Sequence, residues 1–378
     1  MSRLVLSHSP SLVEVDLEAV AENTRRIRSL IGAQRALYAA LKCDAYGMGL
    51  LPVAHTILTS GGDAISVARV GDALALRADG VRAPILLYPS EVMGSSLVQI
   101  LEEQRITPAV ADADAVRALS RYARGRVPVF VKVDVGLRRL GVAPEAALAL
   151  AKLIGTLPRL KLDGVLTHLH VPADPAPEAY LEWQFQRFTG VIDQLADEGF
   201  QVRVRMAASS AVLRLSGAMN LTAVDPGRMF LGLAGAGPLS APLPWSQALA
   251  AFKSRLIAVK YVAADEFSEL AQIPVGQGVR IGVFPLGTSD GIGVAAASHV
   301  LIRGRRAPLF PAVSLEHSRV DLSGHPDAAV GDDVVIIGRQ GEAEITLDEV
   351  ARHSAVPPVG VCTAIGGSVR RQYGPWDR

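Results

Sequence analysis

The sequence predicts an α/β protein: an N-terminal (β/α)8 barrel followed by a C-terminal β-rich domain. From residue 16 to about residue 228, short apolar runs alternate with amphipathic stretches, the pattern of parallel strands joined by helices. A Gly/Pro-rich passage over residues 232–245 breaks that rhythm, and short β-rich runs follow it. The expected organisation is therefore a barrel domain over residues 1–240 and a β domain over 241–378.

Bulk properties agree. The 378 residues exceed one ordinary domain of about 100–200 residues. Apolar residues make up 49% and charged residues 20%, which supports a sizeable core and argues against disorder. Lys plus Arg (38) nearly cancel Asp plus Glu (37), so no global field draws the chain to nucleic acid or an anionic membrane. Cys43 and Cys362 are too few for a disulfide framework and lack zinc-type spacing, so no metal site is expected. The first ten residues lack a signal-peptide pattern and no apolar run has the length of a membrane span; the expected location is cytoplasmic.

The first helix follows from Leu17, Val20, Thr24, Ile27 and Ile31 on one face, with Asp16 as N-cap and Gly32 as the stop. Eight strand candidates then appear: Ala36–Leu41, Ala64–Ala68, Pro84–Pro89, Ile106–Ala111, Pro128–Val135, Lys161–Leu169, Val202–Ser209 and Ala223–Gly227. Eight such runs, each beside a helix-like stretch, match a barrel. In the fifth run Val129, Val131, Val133 and Val135 share one parity and Phe130, Lys132 and Asp134 the other, so Lys132 and Asp134 are expected to point inward. In the second domain the strand candidates are Arg255–Val262, Val279–Phe284, Arg306–Leu309, Ala312–Leu315 and Asp333–Ile337. No internal repeat is evident.

Chemistry concentrates in Ala39–Gly49, where Lys42 ends the first barrel strand at the face on which such barrels build active sites. A lysine flanked by apolar strand and partly desolvated has its pKa lowered towards nucleophilic use, although many lysines at strand ends simply reach for solvent.

The wording of that stretch, AALKCDAYGMG, resembles the lysine motif of alanine racemases, V-V-K-A-D-A-Y-G-H-G. VKVDVGLRRLGV (Val131–Val142), LTHLHVPAD (Leu166–Asp174) and RRQY (Arg370–Tyr373) resemble further blocks of that family, in order, from about Pro10 to Tyr373. The resemblance implies a pyridoxal-5′-phosphate (PLP) enzyme acting at Cα of an amino acid, with Lys42 as both Schiff-base lysine and acid/base. It implies that Tyr46, Ser210, the backbone around Gly227 and Arg228, and Tyr373 hold the phosphate. Arg139 would meet the substrate carboxylate and the cofactor's phenolic oxygen, a contact that suits a planar guanidinium. His168 would pack near the pyridine ring. Lys132 matches a lysine that is carbamylated in many members; its other reading is an inward lysine paired with Asp134. A head-to-tail homodimer is also implied, with Thr288, Leu315 and His317 acting on the partner's site.

Three departures matter. The family's V-R-P-G reads Val224-Asp225-Pro226-Gly227, so a carboxylate stands where an arginine would meet the pyridine nitrogen. Asp225 would favour a protonated nitrogen and a stronger electron sink. Thr288 replaces the tyrosine that serves the opposite face of Cα, and an aliphatic hydroxyl is a far weaker acid than a phenol. The family's V-x-M-D reads Val313-Ser314-Leu315-Glu316, leaving the Leu315 N–H for a substrate carboxylate. Substitutes for the second acid/base are His170, His317 and Cys43, each also readable as an ordinary residue. The expected function is an amino-acid racemase; the alternative is one-base chemistry on the same fold, such as aldol cleavage, decarboxylation or elimination. A PLP carrier without turnover is disfavoured by Arg139.

Overall fold

The computed structural model describes residues 9–171, 177–210, 213, 217–233, 245–263, 278–311 and 314–376. By internal contacts the chain forms two compact units. One comprises Ala19–Ala45 and Gly49–Ser246, the other Met1–Glu18, Tyr46–Met48 and Gln247–Arg378. The boundary expected at 240/241 lies outside the described residues.

Strand β1 (Leu12–Asp16) belongs to the second unit, and helix α1 (Leu17–Ile31) follows it directly. On α1 the side chains of Val20, Thr24, Ile27 and Ile31 are buried, as the spacing requires. Gly32 ends the helix at φ 75°, a left-handed conformation that glycine adopts freely, and its N–H donates to Arg28 O at 2.9 Å.

All eight expected barrel strands are present as β2 (Ala36–Ala40), β3 (Ala64–Val67), β4 (Ile85–Leu87), β5 (Ile106–Val110), β6 (Val127–Lys132), β7 (Leu160–Leu166), β8 (Val204–Ala208) and β9 (Ala223–Val224). They close in that order, with Ala36 and Leu37 of β2 paired to Ala223 and Val224 of β9. Between them run α2 (Leu50–Thr59), α3 (Val70–Ala78), α4 (Ser95–Glu103), α5 (Ala113–Tyr122), α6 (Pro144–Thr156) and α7 (Glu178–Asp197).

The strands end earlier than expected at the C-terminal mouth because the chain finds other partners there. Past Lys132, Asp134 N donates to Val142 O and Val142 N to Lys132 O, both at 2.9 Å, so the strand gives way to a loop. β9 stops before Pro226, which has no N–H to continue a ladder. Parity holds through β6: Val129, Val131 and Val133 are buried on one side, while Phe130 joins Tyr38, Leu86, Leu166 and Met206 in the interior. Gly164 makes room for that packing, since a Cβ there would lie 2.6 Å from the Phe130 ring.

The second unit contains β10 (Leu249–Arg255), β11 (Ala258–Val262), β12 (Val279–Phe284), β13 (His299–Ile302), β14 (Arg305–Pro308), β15 (Ser318–Asp321), β16 (Asp333–Gln340), β17 (Ala343–Ile345) and β18 (Arg370–Gly374). Helices α8 (Leu347–His353) and α9 (Pro358–Ala364) precede the last strand. A seven-stranded sheet runs β14-β13-β16-β10-β1-β18 with β17 on β16, and a three-stranded sheet runs β11-β12-β15. The run expected as one strand, Arg255–Val262, is two: Leu256 N bonds Asp332 O and Ile257 N bonds Val283 O, so the chain changes sheets there. Of the expected strand Ala312–Leu315, residues 312 and 313 lie outside the described residues, and Ser314 and Leu315 belong to no strand. Among the described residues no helix is long and apolar enough to cross a membrane.

Candidate active site

Lys42 follows β2, whose ladder continues through Leu41 N to Ser66 O at 2.9 Å. The next four residues, Cys43, Asp44, Ala45 and Tyr46, all have left-handed backbones, with φ of 52°, 55°, 50° and 55°. For non-glycine residues such a turn costs roughly 1–2 kcal/mol each, so it needs holding. Asp44 holds it: its backbone oxygen accepts Gly49 N at 3.0 Å and its Oδ1 accepts Leu50 N at 2.7 Å. Strain of this kind collects at functional sites, and here it re-aims the chain immediately after Lys42.

Across the barrel mouth, Lys132 and Asp225 are each only 7% exposed. Tyr88, just past β4, donates its hydroxyl to Asp225 Oδ2 at 2.8 Å. The ammonium groups of Lys42 and Lys132 lie 5.9 and 5.5 Å from the centre of the same tyrosine ring, within cation–π range. Burial pushes the Asp225 carboxyl up to about 6, against the opposing pull of the Tyr88 hydroxyl and of the Lys132 and Lys42 charges. Its Oδ1 is buried with no hydrogen-bond partner among the described residues. Burial also lowers the Lys132 pKa; Asp225 opposes that effect, while Arg139 and Lys42 add to it.

Asp134 does not point into the barrel beside Lys132. Its Oδ1 accepts the N–H groups of Gly136 and Arg138 at 2.9 and 3.0 Å, and its Oδ2 accepts Arg139 N at 2.8 Å. Burial raises its pKa, but the hydrogen bonds from Gly136, Arg138, Arg139 and Leu137 outweigh that and hold the carboxyl below its ordinary value. Asp134 thus shapes the loop that presents the exposed Arg139. His168 is half-buried, and its pKa is pushed down to about 3 by burial and then by Lys132, Lys42, Arg139 and His170. It is a neutral ring at physiological pH.

At the ends of β8 and β9 the backbone N–H groups of Gly227 and Met229 converge on the buried Ser210 hydroxyl at 2.9 and 3.4 Å. Arg228, between them, is half-buried and opens a 3-10 turn, Arg228–Leu231. His170 is half-buried, its backbone clamped by Gln184, which accepts His170 N and donates to His170 O at 2.8 Å each.

Five expected residues, Tyr46, Thr288, Leu315, His317 and Tyr373, belong to the strand-rich unit. Tyr46 ends the left-handed turn and is half-buried. Tyr373, also half-buried, lies in β18 opposite Val15. Thr288 is exposed, with its N–H and hydroxyl both directed to Ser314 O at 2.9 and 3.4 Å. Leu315 is 73% exposed, and its carbonyl accepts Ser289 N and Oγ at 3.0 and 2.6 Å. Gly287 permits that close approach, since a Cβ would lie 2.2 Å from the Leu315 carbonyl carbon. His317 and Cys43 are exposed. Among the described residues no cluster of three or more His, Cys, Asp or Glu side chains could hold a metal ion.

The structure therefore gathers Lys42, Lys132, His168 and Arg139 as electrostatic neighbours, two of them, Lys42 and Lys132, also acting on Asp225 and on its partner Tyr88. Sequence reasoning did not single out Tyr88. The available signal was parity, since Leu86 and Tyr88 share the inward side of one run, but an aromatic in an apolar run reads as core.

These residues fit PLP. An amine, a buried carboxylate oxygen lacking a donor, a guanidinium and a hydroxyl grouped with backbone N–H donors are what an aldehyde, a ring nitrogen, a carboxylate and a phosphate require.

The model of the alanine racemase N-terminal domain matches residues 15–235, and that of the alanine racemase C-terminal domain matches 249–373. The chain is 35% identical to an alanine racemase of Desulfosudis oleivorans over 375 residues, covering 95% of each. It is 33% identical to one of Symbiobacterium thermophilum over 371 residues, covering 97% of each. Among solved structures it resembles alanine racemase of Bacillus anthracis with bound L-Ala-P, at 25% identity and TM-score 0.88, covering 97% of this chain and 95% of the other. It also resembles that of E. faecalis, at 26% identity and TM-score 0.87, covering 98% and 100%. With both domains matched in order along nearly its whole length, the chain belongs to the alanine racemase family.

Proposed function

We propose that this PLP-dependent racemase acts on alanine, as a cytoplasmic homodimer, with Lys42 as its principal acid/base. The observation that carries the site assignment is the grouping at the barrel mouth of Lys42 with a buried carboxylate, Asp225, and a loop-mounted arginine, Arg139. When bound, PLP supplies an electron sink for the charge left at Cα.

The Lys42 amine would hold the cofactor through its aldehyde carbon, and as a free amine it would take and return a proton at Cα from one face. Arg139 binds the substrate carboxylate bidentately and fixes which bond faces Lys42. Ser210, with the backbone of Gly227 and Arg228, holds the phosphate; Tyr46 and Tyr373 are assigned to it on the family pattern. His168 packs at the ring as a neutral imidazole, adding no charge to compete with Lys42. Asp225 Oδ1 would accept a hydrogen bond from the protonated ring nitrogen and hold that nitrogen in its protonated form.

Lys132 has Asp225 as a charged neighbour, which favours its ammonium form over a carbamate, because a carbamate would place a second anion beside the first. Thr288 and Leu315 of each protomer are assigned to the partner's site on the family pattern. Thr288 is too weak an acid to serve Cα, so the second proton must travel through another group or through Lys42 itself. The relatives reported above, all alanine racemases, do not favour the one-base alternative.

The test is chiral chromatography of alanine incubated with purified holoenzyme, beside a panel of other amino acids. Convergence on equal amounts of the two enantiomers from either side supports the reading. Faster conversion of a different amino acid would move the substrate assignment, and sedimentation as a monomer under turnover conditions would remove the shared site.

A further inference from the structure

The contact between Tyr88 and Asp225 joins residues 137 positions apart and belongs to none of the roles carried by the family pattern. Tyr88 is built in firmly. Its N–H donates to Val67 O at 2.9 Å, its ring packs against the barrel interior, and two ammonium groups face that ring.

An ionised carboxylate has two oxygens and about four lone-pair directions. Here Oδ2 takes the tyrosine hydroxyl, while Oδ1 is buried with no hydrogen-bond partner among the described residues. Buried polar atoms are almost always paired, so an orphan on a residue only 7% exposed calls for a donor from elsewhere. The charged groups facing Asp225 are Lys132 and Lys42, and both act on it through charge. A planar nitrogen heterocycle carrying one N–H is a donor that suits a single open carboxylate oxygen.

We propose that Tyr88 is a positioning residue that turns Asp225 so that Oδ1 faces the cofactor's ring nitrogen and keeps the carboxylate ionised to hold that nitrogen protonated. This rests on the reading of the chain as a PLP enzyme. The aspartate and the tyrosine thus form one device, a hydroxyl that spends its proton on one carboxylate oxygen so that the other stays open to the ring.

The test uses Tyr88→Phe, which keeps the ring and its contacts with both lysines and removes only the hydroxyl. Two signals are read. In the apoprotein, the Asp225 carboxyl is followed by 13C NMR after labelling aspartate, with Asp225→Asn providing the assignment. Loss of a hydrogen bond to the charged form should raise its apparent pKa by about one unit. In the holoenzyme loaded with 15N-labelled PLP, the ring nitrogen should be protonated at neutral pH in the wild type and lose its proton at lower pH in Tyr88→Phe. An unchanged carboxyl titration, or a ring nitrogen that is unprotonated in the wild type or titrates alike in both proteins, overturns the proposal alone. A wild-type chain that retains no cofactor overturns the PLP reading together with the proposal. Circular dichroism of Tyr88→Phe checks the fold, and Tyr88→Leu, which also lacks the hydroxyl, must shift the carboxyl in the same direction.

Discussion

Replacing Asp225 with asparagine should make the apoprotein more stable above neutral pH. Burial raises the carboxyl from 3.8 to about 6, and at about 1.36 kcal/mol per pH unit this opposes the folded anion by about 3 kcal/mol. The folded value lies above the unfolded one, so the opposition is absent below about pH 4, grows as pH rises through about 6, and is constant beyond. Asparagine keeps an oxygen for the Tyr88 hydroxyl, but its NH2 group would take the place of Oδ1, which has no hydrogen-bond partner among the described residues, and leaving it unpaired costs about 1 kcal/mol. The net gain is about 2 kcal/mol near pH 8, shrinking towards zero at about pH 4.5. Urea unfolding of the two apoproteins at both pH values measures it. Equal stability at pH 8, or a gain that does not depend on pH, would refute the reasoning, because it would mean that the buried carboxylate carries no strain.

Other perturbations follow from the same geometry. Lys42→Ala should abolish the linkage that borohydride fixes between the pyridoxyl group and the lysine peptide, read by peptide mass spectrometry; a pyridoxyl group fixed on another lysine, such as Lys132, would move the assignment. Arg139→Lys should lower kcat/KM by roughly tenfold to a hundredfold, since a bidentate carboxylate contact is worth about 1.5–3 kcal/mol; unchanged kinetics would place the arginine outside the site. Gly164→Ala should lower stability by about 1–3 kcal/mol through overpacking against Phe130, whose ring would lie 2.6 Å from the new Cβ; an unchanged urea midpoint would show that the ring has room to move. Intact-mass analysis with 13C-bicarbonate should find Lys132 unmodified, and a carbamate signal lost in Lys132→Arg would contradict its pairing with Asp225.

The barrel was legible because each strand carries its own local signal, an apolar run of barrel-strand length with inward parity, and the candidate site was legible because its residues sit where those runs end. Lys42, Lys132 and Asp225 are all strand-end residues of this kind. What local pattern does not carry is pairing between distant segments. β1 reads as a prelude to α1, yet it lies between β10 and β18, and nothing in residues 12–16 announces the antiparallel and parallel partners it takes. Asp134 continues the inward parity of Phe130 and Lys132, but the strand stops first and three loop N–H groups capture its carboxylate. The left-handed turn of Cys43–Tyr46 contradicts the propensities of its residues and exists because Asp44 braces it. The Tyr88–Asp225 bond became visible only once the barrel had closed.

The most direct test of the central claim follows holoenzyme with L-alanine in deuterated water, by proton NMR for exchange at Cα and by chiral chromatography of the same samples for configuration. Proton removal at Cα by Lys42 and return on either face predict that the Cα proton signal disappears while D-alanine accumulates, already deuterated at Cα, until the enantiomers are equal. Exchange with the L configuration retained, or cleavage products without D-alanine, would contradict racemisation.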